Sequence, residues 1–288
     1  MTWFAWALLS AVSLAAADLI TKRSFSDLSL EQVVLARFAA VIPACLVLLA
    51  LCPWPAELGW GFYRPLLMAL PAEVAATFLY LRAIQLSPLA LTQPFLAFTP
   101  VIALATSQVF LGELPGGWGL TGIVLLSAGA YGLNLHQLKA GWLEPWRAML
   151  REPGSWRTLL VGGIYAYTIV MGRQATLASN PWFMGAVYPL VVAVITAGLI
   201  GLRGRLAWIW LRRPWPLMGL ALCLAGMIIG HFMALGLIQA PYMVAVKRTS
   251  PLFAVLLGAW FLGETRLGQH LMASALMVAG AVVVALWG

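Results

Sequence analysis

Charge is what this sequence has least of. Only 9% of its 288 residues are Asp, Glu, Lys or Arg, against roughly 25% in ordinary soluble domains. Hydrophobic side chains make up 62%, more than a soluble domain can cover with its polar residues. Acidic residues number 9 and histidines 3, and they form no HExxH motif or Cys/His cluster with metal-ligand spacing. Neither a GxSxG elbow nor a GxxxxGK[ST] phosphate loop is present. An enzyme, a resident cofactor or metal, and ATP as the energy source are therefore not expected. The three cysteines (Cys45, Cys52 and Cys223) sit in or beside apolar stretches. They read as small packing residues rather than as disulfide or redox partners.

What is abundant is hydrocarbon in windows of about 20 residues, the length that crosses a bilayer core as a helix. Stretches such as 33–51, Arg37 apart, and 271–287 are apolar on every side, unlike the alternating segments of a barrel. The spans predicted are 3–21, 29–51, 65–86, 89–111 and 117–135, then 158–177, 182–202, 214–237, 242–262 and 267–287. Turn chemistry marks the breaks, at Ser87-Pro88, Pro115-Gly116-Gly117, Asn180-Pro181 and Arg213-Pro214. The first span is expected to be retained, because Lys22 and Arg23 follow it and no basic segment precedes it. Residues 136–157 carry Trp142, Trp146 and Met149 interleaved with Arg147 and Arg151, a pattern that suits an interfacial helix.

The basic residues explain the net charge of +8. They form no aromatic-interleaved stripe that would suit nucleic acid. Instead they crowd one set of loops, with Lys22, Arg23, Lys139, Arg147, Arg151, Arg157, Arg203, Arg205, Arg212, Arg213 and Arg266 against little beyond Arg64 on the other. The basic side should face the cytoplasm of a plasma (inner) membrane, which places both termini outside.

Shifted by 151 residues, the chain matches itself. Phe110-Leu111-Gly112-Glu113 falls on Phe261-Leu262-Gly263-Glu264, and Pro100 on Pro251. Over 99–135 against 250–286 there are 13 identities in 37 positions. The expected fold is therefore an all-α membrane protein of ten transmembrane helices, made of two five-helix repeats at 1–135 and 158–288 around a linker at 136–157. Five is odd, so the second repeat enters the membrane inverted, an architecture of secondary transporters that bind substrate at the midplane.

Charges inside the spans are the candidate site, since an ion in hydrocarbon needs a partner, water or a task. Lys247 and Arg248 on the ninth span and Glu73 on the third lie at similar depth. Two readings stand: a structural ion pair with Glu73, or cavity cations that meet an anionic substrate. His231 and Tyr80 occupy repeat-equivalent positions, and Tyr165 and Tyr167 are read either as lining the same cavity or as packing residues. Arg37 is expected to snorkel or to pair with Glu31, and Asp18 to bridge to Lys22 along one helix face. Glu113 and Glu264 read as fold elements. Small residues at Gly122, Ser127, Gly129, Ala273, Ser274 and Gly280 permit close helix approach, within the chain or in a homodimer. Trp54, Trp60, Trp208, Trp210 and Trp215 read as interfacial belts.

Ten spans, the five-plus-five repeat and the doubled Phe-Leu-Gly-Glu signature resemble the drug/metabolite transporter superfamily, in its EamA-type branch. The resemblance covers essentially the whole chain. It implies a carrier driven by a gradient or by exchange, with a coupling proton or counter-substrate. Val246-Lys247-Arg248-Thr249-Ser250 is also similar to the ninth helix of plastid triose-phosphate translocators, where a Lys-Arg pair grips phosphate. That branch has a further Lys on helix 4, and the fourth span here has no Lys, Arg or His. The expected substrate is a small polar, anionic metabolite. The alternatives are an exporter of amino acids or amphipathic drugs, a flippase for a lipid-linked phosphate, and a non-transporting scaffold.

Overall fold

The computed structural model describes residues 2–86, 95–135, 153–206, 208–250, 252–253 and 271–287. Among these, every regular element is helical: α1 (Thr2–Phe25), α2 (Leu30–Leu51), α3 (Trp60–Leu86), α4 (Thr99–Leu111), α5 (Gly117–Leu135), α6 (Pro153–Leu177), α7 (Pro181–Leu202), α8 (Pro214–Leu237), α9 (Ala240–Lys247) and α10 (Leu271–Trp287). Five of them, α1, α2, α3, α7 and α8, are long and apolar enough to cross a membrane by length and composition. The chain is an all-α integral membrane protein.

Local signals set the ends. Ser29 caps α2 in a reciprocal box with Gln32, which satisfies two orphan amides at once. The Asn180 side chain accepts from the Phe183 amide at the start of α7, and Pro181 takes the first turn, where an amide is dispensable. Gly112 closes α4 with φ of 66°, a left-handed conformation that costs glycine least. Helix α6 begins at Pro153, five residues before the predicted start, because that proline also suits a first turn. The rest of the predicted interfacial linker, 136–152, lies outside the described residues, as do Glu264 and its Phe-Leu-Gly neighbours.

Packing follows the repeat. α1 lies on α8 and α6 on α3, while α2 packs against α7 and α5 against α10. Adding five to the helix numbers turns the first contact into the second and returns the other two to themselves. Small residues set the closest approaches. A Cβ on Gly280 would stand 2.6 Å from the Leu126 amide, and one on Gly230 2.5 Å from the Trp6 carbonyl. The small faces of α5 and α10 are thus used within the chain, joining the two halves.

Two spans depart from the expected unbroken helices. In the fourth, Ala97 and Phe98 form a turn before α4 starts at Thr99-Pro100; in the ninth, Arg248 and Thr249 form a turn where α9 ends. The turns are related by the same shift of 151 residues that aligns the sequence. Pro100 has no amide for the preceding turn, which helps break the ladder there. Interrupted helices at corresponding positions of two repeats are the usual makings of a midplane site.

The ends on the basic side are tied by exposed ion pairs, Arg205 to Glu31 and Arg213 to Asp27. Arg213 also donates to the Ser24 carbonyl. The Arg213 guanidinium holds the Asp27 carboxyl below its ordinary range. Glu31 is therefore bound to Arg205, and the expected Glu31–Arg37 pair does not form. Trp54, Trp60, Trp208 and Trp215 are exposed, as belts should be, but Trp210 is only 3% exposed. A short 3-10 turn, Ile209–Arg212, tucks it against α2 and α8. All three cysteines are free.

Candidate functional site

A cavity of about 290 Å³ lies between the halves, walled by α1, α2, α3, α6, α7, α8 and the end of α9. All six residues singled out from the sequence line it: Glu73, Tyr80, Tyr165, His231, Lys247 and Arg248. Its remaining wall is largely apolar, from residues such as Phe38, Val41, Leu96 and Ile169. A few polar groups converging in an apolar chamber are the usual form of a small-molecule site.

The break after α9 presents the two cations. Lys247 is the last residue of the helix and Arg248 its cap, with the Arg248 amide bonded back to Val244 at 2.9 Å. Lys247 Nζ lies 3.1 Å from His231 Nδ1 and 3.5 Å from Met227 Sδ. An ammonium can only donate, so His231 accepts at Nδ1 and carries its proton at Nε2. Neither neighbour is an anion.

Arg248 reaches across to the other break, where its Nη2 donates to Thr99 Oγ1 at 3.1 Å. Its guanidinium carbon stands 6.0 Å from the centre of the Tyr165 ring, inside cation–π range. Its Nε is buried with no hydrogen-bond partner among the described residues. Tyr165 and Tyr80 face each other with ring centres 6.4 Å apart.

Glu73 does not close the ion pair expected with Lys247 or Arg248. Its Oε2 accepts from the Tyr188 hydroxyl at 3.2 Å, with Thr168 on the same cavity wall. Depth along the membrane brought Glu73 and Lys247 to one level. The rotation of α3, fixed by its packing on α6, turned the carboxylate toward hydroxyls instead. Asp18 likewise pairs with Arg37 at 2.7 Å rather than with Lys22, and Thr21 accepts from Arg37 at 3.1 Å. Arg37 and Asp18 line the cavity too.

Several participants were not singled out in the sequence. Tyr188, Thr168 and Met227 are ordinary residues of apolar helices that only the fold turns to the chamber, and Thr99 is a buried residue that the fold sets against Arg248. The larger omission is Arg173, on α6. It grips Glu113 through Nε (2.9 and 3.1 Å) and Nη2 (2.8 Å), and its Nη1 donates to the Leu235 carbonyl at 2.7 Å and to that of Ile238. This clasp ties the end of α4 to α6 and to the end of α8, away from the cavity wall. It accounts for Glu113 as a fold element.

Residues 1–135 match the model of the EamA-like transporter family. The first half of this chain belongs to the EamA-like transporters. A crystal structure shares the fold over the whole of this chain, with a TM-score of 0.76, 16% identity, and coverage of 100% of this chain and 99% of that one. At that identity the likeness speaks for the fold alone. None of the curated proteins matches the chain. The family brings with it the coarse function, a membrane transporter of the drug/metabolite kind, and its members are transporters rather than enzymes.

Proposed function

We propose that this EamA-like protein is a secondary carrier of a small anionic metabolite, bound in the midplane cavity by Lys247 and Arg248. The observation behind this reading is the state of the two cations. Lys247 rests on a neutral imidazole and a thioether, and Arg248 on a hydroxyl with one buried N–H left over. A planar fork beside a point charge can take a carboxylate or a phosphate between them. The two inverted five-helix repeats, at 1–135 and 158–288, would rock about this site and expose it to each side in turn. Energy would come from a gradient or from counter-substrate exchange. The basic loops would face the cytoplasm of the inner membrane, with both termini outside.

A second reading is favoured by the facing rings of Tyr80 and Tyr165 and by Glu73 on the same wall. They would suit the ammonium or aromatic part of an amino acid or an amphipathic drug. A melting-temperature screen of the purified protein separates the two, with phosphorylated sugars, carboxylates, amino acids and organic cations as ligands. Stabilisation by an anion that disappears in Lys247→Ala supports the anion site. Stabilisation by amino acids or cations that survives the substitution favours the second reading.

A further inference from the structure

The connection between α7 and α8, residues 203–213, sets exposed hydrocarbon beside exposed charge. Leu206, Trp208, Ile209 and Leu211 are all exposed, and so is Trp215 in the first turn of α8. Apolar side chains of this size just outside a span fit the boundary between lipid headgroups and acyl chains. The fold pins the connection in place. Trp210 is buried against α2 and α8, and the Trp208 ring lies beside it with ring centres 5.7 Å apart. Arg205 and Arg213 fasten the segment to Glu31 and Asp27.

Those two ion pairs use up the acids. Asp27 and Glu31 are the only carboxylates among the described residues at this end of the bundle. Lys22, Arg23, Arg82, Arg157, Arg203 and Arg212 have no carboxylate within 4.0 Å among the described residues. At the opposite end Arg64 is matched in number by Glu57, and Arg173 is closed on Glu113. The positive excess is therefore confined to one end. Arg203 and Arg212, both exposed, place part of it on the apolar connection itself.

We propose that this connection is a binding site for an anionic phospholipid. Arg203 and Arg212 hold the headgroup phosphate, and the acyl chains lie against Leu206, Trp208, Ile209 and Leu211. What is exposed selects the occupant. Uncompensated cations next to large apolar side chains match a molecule that carries a net negative headgroup on hydrocarbon. A zwitterionic lipid offers the same chains but cancels its own phosphate charge. Lys22 and Arg23, at the end of α1, add to the field that draws the anion in. The site lies at the membrane surface and does not depend on what the midplane cavity carries.

Dioctanoyl phosphatidylglycerol, titrated onto the detergent-purified protein against dioctanoyl phosphatidylcholine, tests this through the rise in melting temperature. The native protein should bind phosphatidylglycerol more tightly, and added salt should narrow the difference. Arg203→Gln combined with Arg212→Gln should weaken phosphatidylglycerol roughly 25-fold, at about fivefold for each charge near a membrane surface. Phosphatidylcholine should be unaffected. Arg203→Lys combined with Arg212→Lys keeps both charges and should keep the preference. Arg212→Gln alone, with about a fivefold loss, serves if the double variant does not fold. Equal binding of the two lipids by the native protein overturns the choice of an anionic headgroup. A preference that survives the double substitution takes the lipid off this connection and overturns the site. Glycerol phosphate, a headgroup without chains, should give no shift that the double substitution removes. Such a shift, as large as the lipid's, would make this a site for soluble phosphate and overturn the lipid.

Discussion

Arg173 and Lys247 are both cations set between helices from the two halves, yet they are held in opposite ways. Arg173 has a bidentate carboxylate on one edge of its guanidinium and two helix-end carbonyls on the other. Its side chain is 10% exposed. Among the described residues Lys247 has only an imidazole nitrogen and a sulfur atom, and it lines the chamber. The fully satisfied cation closes a structural joint and leaves no valence for a ligand. On the reading proposed above, the under-satisfied one costs the empty protein something and would be free to reward binding.

The contrast breaks most visibly at the clasp. Arg173→Ala should cost about 3–5 kcal/mol of stability, because it strands Glu113 and two carbonyls with their donor gone. A melting temperature equal to that of the native protein would show that the clasp is not structural. Next in size, Lys247→Ala should cut transport roughly 100-fold, as expected for removing a desolvated charge that a ligand uses. Expression and melting temperature of the ligand-free protein should hold, and a drop in both would assign Lys247 to the fold.

Helix approach offers a third and smaller test. Gly280→Ala would drive its Cβ to within 2.8 Å of the Gly122 carbonyl and 2.6 Å of the Leu126 amide. Backbone cannot move aside as a side-chain tip can, so a loss of about 1–3 kcal/mol is expected. Gly163→Ala, with nothing within 4 Å of the new Cβ, is the control that should be close to neutral.

The smallest effect belongs to the exposed pair Asp27–Arg213. Arg213 lowers the folded-state pKa of Asp27 beneath its ordinary 3.8. The stabilisation is therefore complete above that value and is lost as pH falls through the lower, folded one. Asp27→Asn should lie slightly below the native protein in melting temperature at neutral pH, with the gap closing below about pH 3.8. Added salt should shrink the gap at neutral pH, since the pair is exposed.

How much of this could be read in the sequence depends on the direction being asked about. Depth was legible: Lys247, Arg248, Glu73, His231, Tyr80 and Tyr165 all reach one cavity, because counting residues along apolar spans measures distance across a bilayer. Rotation about each helix axis was not. Glu73 faces Tyr188 and Thr168 rather than Lys247, and Asp18 faces Arg37 from a different helix rather than Lys22 on its own. Arg173 escaped notice because it lies near a span end, where a cation looks free to snorkel. Its partner Glu113 is 60 residues away.

The sequence by itself determined that this chain enters a membrane as helices, that it matches itself at a shift of 151 residues, and which charged residues fall inside apolar spans. Those properties follow from hydrophobic length, from self-alignment and from the rarity of ions in apolar spans. Only the tertiary structure decided which cation is spent on the fold and which is left facing a cavity. Pairing depends on the azimuth and packing of helices far apart in the chain, and small residues such as Gly230 and Gly280 set that packing through backbone contact. The matched breaks at Ala97-Phe98 and Arg248-Thr249 belong to the same class. A proline marks each of them in the sequence, but the neighbouring helices hold the two open ends face to face.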